Sequence, residues 1–207
     1  VSDADRPRHG DGAGGEAEPG VRERILAAAV RCAERAGVRR FSLEDVALEA
    51  GLSRTSIYRH FPGGRAQLVE EAATWEVARF WTRLAKAVEG LDTLEDRLVA
   101  GLGLGHRLIA RSRVMQALDD SDLDELMAAL RPSEPLVHQV ICDYIQSLLE
   151  AEGRAGRLRE GVDVAEAADY LTRMILSTMG SPGGVDLADP DQTRRLVRTQ
   201  FLGGICT

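Results

Sequence analysis

The stretch that most constrains this chain is Phe41 to Arg65, FSLEDVALEAGLSRTSIYRHFPGGR. Leu43, Val46, Ala47 and Ala50 recur at the spacing of one helix face. Ser42 can cap that helix, and Glu44 and Asp45 put negative charge in its first turn. Gly51 supplies the left-handed residue that ends it, with Leu52 anchoring the turn. Ser53 caps a second helix that runs to Phe61 and is stopped by Pro62-Gly63-Gly64. Ala47 is small where the two helices must cross, and Ile57 closes the pair from the second helix. Two short helices joined by a tight, glycine-containing turn form a helix-turn-helix.

This leaves Arg54, Thr55, Ser56, Tyr58, Arg59 and His60 as the polar side of the second helix. Between Ala50 and Val69 there are three arginines, one histidine and no acid. Such a surface suits contacts to phosphates and base edges. The alternative is a pair of core helices with a solvated polar face. The charge distribution favours the first reading. The whole chain carries −7, yet residues 21–65 hold nine arginines against five acids, a net +4. Residues 1–20 carry −3 and residues 66–207 carry −8. A basic head on an acidic body directs one surface towards a polyanion and keeps the rest away from it.

LSRTSIYRHFPGGRAQL, with the preceding FSLEDVALEAG, resembles the DNA-binding domain of the tetracycline-repressor (TetR) family of bacterial regulators. The family pattern is an apolar residue, Ser, three variable positions, an apolar residue, then Tyr-x-His-Phe and a basic residue after a short turn. Leu52, Ser53, Ile57, Tyr58, His60 and Phe61 stand in register with it. Arg59 replaces a frequent second aromatic, and Arg65 replaces the usual lysine, which alters the geometry of a phosphate contact. The resemblance is tight over residues 21–70 and architectural beyond. It implies a DNA-binding set of Ser42, Ser53, Arg54, Thr55, Ser56, Tyr58, Arg59, His60 and Arg65. Thr55, Ser56 and Arg59 are expected at bases, and Ser42, Tyr58, His60 and Arg65 at phosphates. A homodimer on a pseudo-palindromic double-stranded operator is implied, with release by a small-molecule effector.

The remaining chain reads as helices throughout, with no strand-type alternation, so the expected fold is all-α. Residues 1–20, rich in glycine and acids, are expected to form a flexible arm whose net −3 favours a passive tail over groove contacts by Arg6, Arg8 and His9. Residues 21–66 form the helix-turn-helix head, with Val21 to Ala36 as its support helix and Arg22, Arg24, Arg39 and Arg40 as further phosphate candidates. Residues 67–207 form a helical body for ligand binding and dimerisation. Its first helix, Gln67 to Glu89, carries Trp75, Phe80 and Trp81, which suit either core packing or a pocket wall. Leu94 to Ile109 is helical in pattern, but its GLGLG run implies a break, a close crossing or an unfilled space beside a ligand. A dinucleotide loop is excluded because no strand precedes it. Leu136 to Ala151 is apolar on more than one face, as a cavity wall would be.

The candidate ligand contacts are Trp75, Phe80, Trp81, Leu102, His106, Ile109, Val140, Ile141, Tyr144 and Met174, and their character favours a lipophilic effector. Val164 to Met179 and Arg194 to Ile205 are the last two helices. The resemblance assigns them to a dimer interface through Ala165, Ala168, Leu171, Ile175, Leu196, Val197 and Phe201, although such helices also pack within one chain. Asp119-Asp120-Ser121-Asp122 lacks the spacing of a calcium loop and reads as a helix cap. Cys32, Cys142 and Cys206 are far apart, and neither they nor the four histidines show metal-ligand spacing, so no metal or cofactor is expected. No apolar run is long enough to span a membrane and no catalytic constellation stands out, so a cytoplasmic, non-enzymatic regulator is the expectation. A helical carrier of a hydrophobic molecule is the alternative.

Overall fold

The computed structural model describes residues 20–207, and these are helical with no strand. The expected arm of residues 1–20 lies, but for Gly20, outside the described residues. Helix α1 spans Val21–Ala36, α2 Leu43–Ala50 and α3 Arg54–His60. The long α4, Gly64–Val88, leads into α5, Leu94–Ala110. Two short helices follow, α6 (Arg113–Ala117) and α7 (Asp120–Leu130), and a 3₁₀ turn at Arg131–Ser133 connects α7 to α8, Glu134–Arg154. Helix α9, Val164–Gly180, and the short α10, Pro190–Leu196, complete the body. A wider π-type turn, Val197–Phe201, closes the last helix sooner than its apolar pattern implies.

Local chemistry sets these boundaries. Ser42 accepts the Asp45 N–H while the Asp45 carboxylate accepts the Ser42 N–H, a reciprocal capping box. Gly51 is left-handed, at φ 65° and ψ 38°, as the turn after α2 requires. Ser53, Thr93, Ser112, Asp119, Asp163 and Asp189 cap the helices that follow them.

Two hydrophobic cores hold the chain. The head core gathers Ile25, Ala28, Val46, Ile57 and Phe61, and it continues into α4 through Leu68, Val69 and Ala72. The packing boundary between head and body therefore falls inside α4, some residues beyond the expected limit at residue 66. Leu118 and Ala129, from the α6–α7 region, also pack on this core. The body core gathers Leu98, Leu102, Leu149, Leu171, Val197 and Phe201, among others.

Helix α5 runs unbroken through the GLGLG segment. Close crossing accounts for two of its glycines. A Cβ on Gly103 would lie 3.3 Å from the Leu187 carbonyl oxygen, and one on Gly105 would meet the Met179 side chain. At Gly101 only Val88 is near, and the space there belongs to a cavity. Buried acids stitch the body together. Glu152 accepts the Leu94 N–H at 3.1 Å and the Arg157 guanidinium at 2.6 Å. Arg194 bridges Glu95 and Asp96 at the start of α5.

The dimerisation set requires correction. Ala168, Leu171, Ile175, Leu196, Val197 and Phe201 are all buried in the body core of their own chain, where α9, α5 and the C-terminal turns converge. Periodicity marks a residue as buried without saying by what. Of that set only Ala165 is exposed.

Candidate nucleic-acid interface and effector cavity

Helix α3 stands on the head with Ile57 buried and its opposite side facing solvent. Thr55 and Arg59 are exposed, Tyr58 is 41% exposed, and neither Thr55 nor Arg59 has a side-chain partner among the described residues. Ser53 spends its hydroxyl on the cap, accepting the Ser56 N–H at 3.2 Å and meeting the Ser56 hydroxyl at 3.0 Å. Ser42 is likewise engaged, its hydroxyl donating to Asp45 at 2.7 Å. Arg54 is drawn back along the surface: it pairs with Glu44 of α2 and lies over the Tyr58 ring, 5.5 Å from the centroid. The Tyr58 hydroxyl and then Glu44 raise the Arg54 pKa further above its ordinary value. His60 is half-buried, and its carbonyl accepts Arg22 at 2.8 Å.

Several arginines expected at phosphates hold the head together instead. Arg65 donates to the Val38 carbonyl, to the Phe41 carbonyl at 3.1 Å and to Glu125 of α7 at 2.7 Å. It also stacks on the Phe41 ring at 5.1 Å. Its guanidinium is thus consumed by the loop before α2, and the phosphate role is corrected to a clasp between head and body. Arg22 stacks on Phe61 at 4.5 Å and pairs with Glu71, while Arg24 caps the end of α2 at the Ala50 carbonyl. Arg40 pairs with Asp119 at 3.1 Å.

The residues that sequence reasoning missed are the acids of α7. Asp122 is 1% exposed and accepts the Arg39 backbone N–H at 2.8 Å. It packs so closely on Gly37, φ 87°, that a Cβ there would lie 2.6 Å from its carboxylate oxygen. Asp119 is held below the ordinary carboxylate range, chiefly by the Asp122 N–H and also by Arg40. The acidic run caps a helix, as its sequence implies, and that helix also grips the head.

A cavity of about 370 Å³ lies in the body between α4, α5 and α8. Of the candidate ligand contacts, Trp81, Leu102, Val140, Ile141 and Tyr144 line it. Trp75, Phe80, His106, Ile109 and Met174 do not, and each has a reason. Trp75 turns towards the head core and stacks under Arg79 at 4.4 Å. Phe80 meets Trp81 edge-on at 5.4 Å and sits beside Gly105. His106 and Ile109 lie along α5 beyond Leu102, where the cavity ends, and Met174 packs into the body core. The lining that went unnamed, including Val77, Ala78, Leu136 and Leu148, is carried by the two-faced apolar pattern of α8 and the small residues of α4. Among the described residues no cluster of potential metal ligands occurs, and no helix is long and apolar enough to cross a membrane.

Residues 25–72, the head with the first part of α4, match the family model of bacterial regulatory proteins of the tetR family. The head is that of a TetR-family regulator. An uncharacterised HTH-type transcriptional regulator of Mycobacterium tuberculosis is 33% identical over 76 residues, which is 37% of this chain. The chain spans 39% of the length of that relative. A solved TetR-family regulator from Pectobacterium atrosepticum superposes with a TM-score of 0.68 at 18% identity, covering 89% of this chain and 93% of that one. SmeT, the repressor of a Stenotrophomonas maltophilia multidrug efflux pump, superposes with a TM-score of 0.57 at 24% identity, covering 90% of each chain. SmeT is also solved in complex with triclosan. At these identities the structural likenesses establish the TetR fold of head and body.

Proposed function

We propose that this TetR-family chain is a DNA-binding transcriptional repressor that grips a pseudo-palindromic operator as a homodimer and is released by a small lipophilic effector. The observation that carries the reading is the α3 surface, where Thr55, Tyr58 and Arg59 face solvent on a basic head whose other arginines are internally engaged. A helix of this kind reads base edges in the major groove, and two copies one helical turn apart read a palindrome. The exposed sides of α9 and α10 are then available to the second copy. The effector site is the apolar cavity, whose volume falls within the roughly 300–1,000 Å³ typical of ligand pockets. SmeT, a repressor with this fold, offers a precedent for a bound small molecule. An effector shifts the DNA-binding equilibrium only by its differential affinity for the two states.

The test is binding of the purified protein to its own upstream DNA and to a scrambled copy across a salt series. Selective binding that weakens steeply with salt is expected, each phosphate contact adding about 0.9 to the logarithmic slope. Weak, equal binding to both DNAs would return the protein to the carrier reading, which the cavity alone would satisfy.

A further inference from the structure

The shape of the cavity says what kind of molecule fits it. Its lining on α4 follows one face from Thr74 through Ala78, Trp81 and Ala85 to Val88. At 1.5 Å per residue that is roughly 21 Å. On α8 the lining extends from Leu136 to Leu148, roughly 18 Å by the same rise. A volume of about 370 Å³ spread over that length makes a slot clearly longer than it is wide. At ~30 Å³ per non-hydrogen atom, the space holds on the order of a dozen such atoms or more. We propose that the cavity takes an unbranched aliphatic chain of about that length, lying parallel to α4 and α8, rather than a compact ring system.

The chemistry of the wall agrees. Thr82 spends its hydroxyl on the Ala78 carbonyl at 2.8 Å, and Thr74 bonds the Glu70 carbonyl and the Ser133 hydroxyl. Arg97 commits its Nε to the Leu91 carbonyl at 2.8 Å. Along most of its length, then, the wall asks nothing of a ligand but apolar surface. One end is closed by the buried Val88, Leu98 and Ile145. Towards the start of α8, Leu136 and Val140 line the cavity while remaining 65% and 57% exposed, so the bore opens to solvent there. A tail can enter at that mouth and run inward, with its polar end left in water.

This inference rests on the cavity being the effector site, and its test reads binding to the protein alone. Straight-chain alcohols from hexanol to tetradecanol are titrated against the full chain by calorimetry, with adamantanol compared with n-decanol, which has the same number of carbons. Affinity should rise about fourfold per added methylene until the bore is filled, then level off. Adamantanol should bind at least about tenfold more weakly than n-decanol. Gly101→Leu and Ala85→Phe each narrow the inner half, and either should shorten the best-binding chain by several carbons. Gly101 has room, since a Cβ there meets only Val88 at 3.8 Å. Adamantanol binding as well as decanol, or affinity indifferent to chain length, would overturn the proposal. Tight chain binding with no loss of operator affinity would leave it standing and sink the effector reading instead.

Discussion

Asp122→Ala tests whether α7 positions the DNA-reading head. The wild-type carboxylate is buried, receives the Arg39 N–H at 2.8 Å and abuts Gly37 just ahead of α2. Removing it strands a backbone donor, at a cost of about 1–3 kcal/mol. It also deletes a negative charge from the first turn of α7, worth a further ~0.3–1 kcal/mol. A total near 2 kcal/mol should lower the melting temperature by roughly 4–8 °C for a chain of this size. Asp122→Asn retains an acceptor oxygen and should recover most of that loss. Thermal unfolding followed by circular dichroism measures both variants, and operator titration at fixed salt reports the head. With the loop at residues 37–41 loosened, Asp122→Ala should weaken operator binding while Asp122→Asn binds almost normally. The reasoning fails if Asp122→Ala melts within about 1 °C of the wild type. It fails equally if Asp122→Asn is as damaging as the alanine, because the Arg39 hydrogen bond would then not be the source of the effect.

The other expectations concern single side chains. Arg65→Ala should lower stability by about 1–3 kcal/mol in urea melts, since it releases two carbonyls and Glu125, while leaving the salt slope of operator binding unchanged. A flattened slope would restore Arg65 as a phosphate contact. Arg59→Ala should change the preferred operator when bound sequences are selected from random DNA, with ~1–3 kcal/mol lost at the position it reads. An unaltered preference would remove its base-reading role. Glu152 is held below the ordinary glutamate range, first by its hydrogen bond to Arg157 and then by the Leu94 N–H, against the opposing effect of burial. A depressed carboxyl contributes stability above its unfolded pKa of about 4.3, and that stability is lost as the pH falls through the folded value. Glu152→Gln should therefore be less stable at neutral pH and show a shallower acid limb in urea midpoints measured from about pH 7 to pH 3.

Much of the fold was legible because its signals are local. Ser42, Gly51, Ser53 and Asp189 set helix ends through partners no more than a few residues away, and the structure bears out each cap. Leu43, Val46, Ala47 and Ala50 are all buried, as their spacing implies. Side-chain partners brought from far along the chain were not legible. Nothing near Arg65 in sequence shows that Glu125 will meet it, and without Glu125 an arginine on a basic head reads as a phosphate contact. Leu196, Val197 and Phe201 have the apolar spacing of an interface, but the same spacing serves the interior of one chain. Trp75 and Phe80 were assigned to a pocket on their bulk. The angular position of Trp75 on α4 sends it to the head instead. The glycines of α5 belong to the same class: whether three glycines break a helix or permit a crossing depends on Leu187 and Met179, which lie far away in sequence.

The placement of the head core within α4 bears on how this protein can be recombined with others. A fragment ending at residue 66 would leave out Leu68, Val69 and Ala72 of that core, together with Leu118, Ala129 and the α7 acids that hold Arg39 and Arg65. A graft cut at that point would join a reading helix to a foreign body with its underside missing. A chimera that keeps this chain's operator preference under another chain's effector control must carry α1 to α4 together with α6 and α7, so its seams belong in the turns around residues 90, 111 and 131.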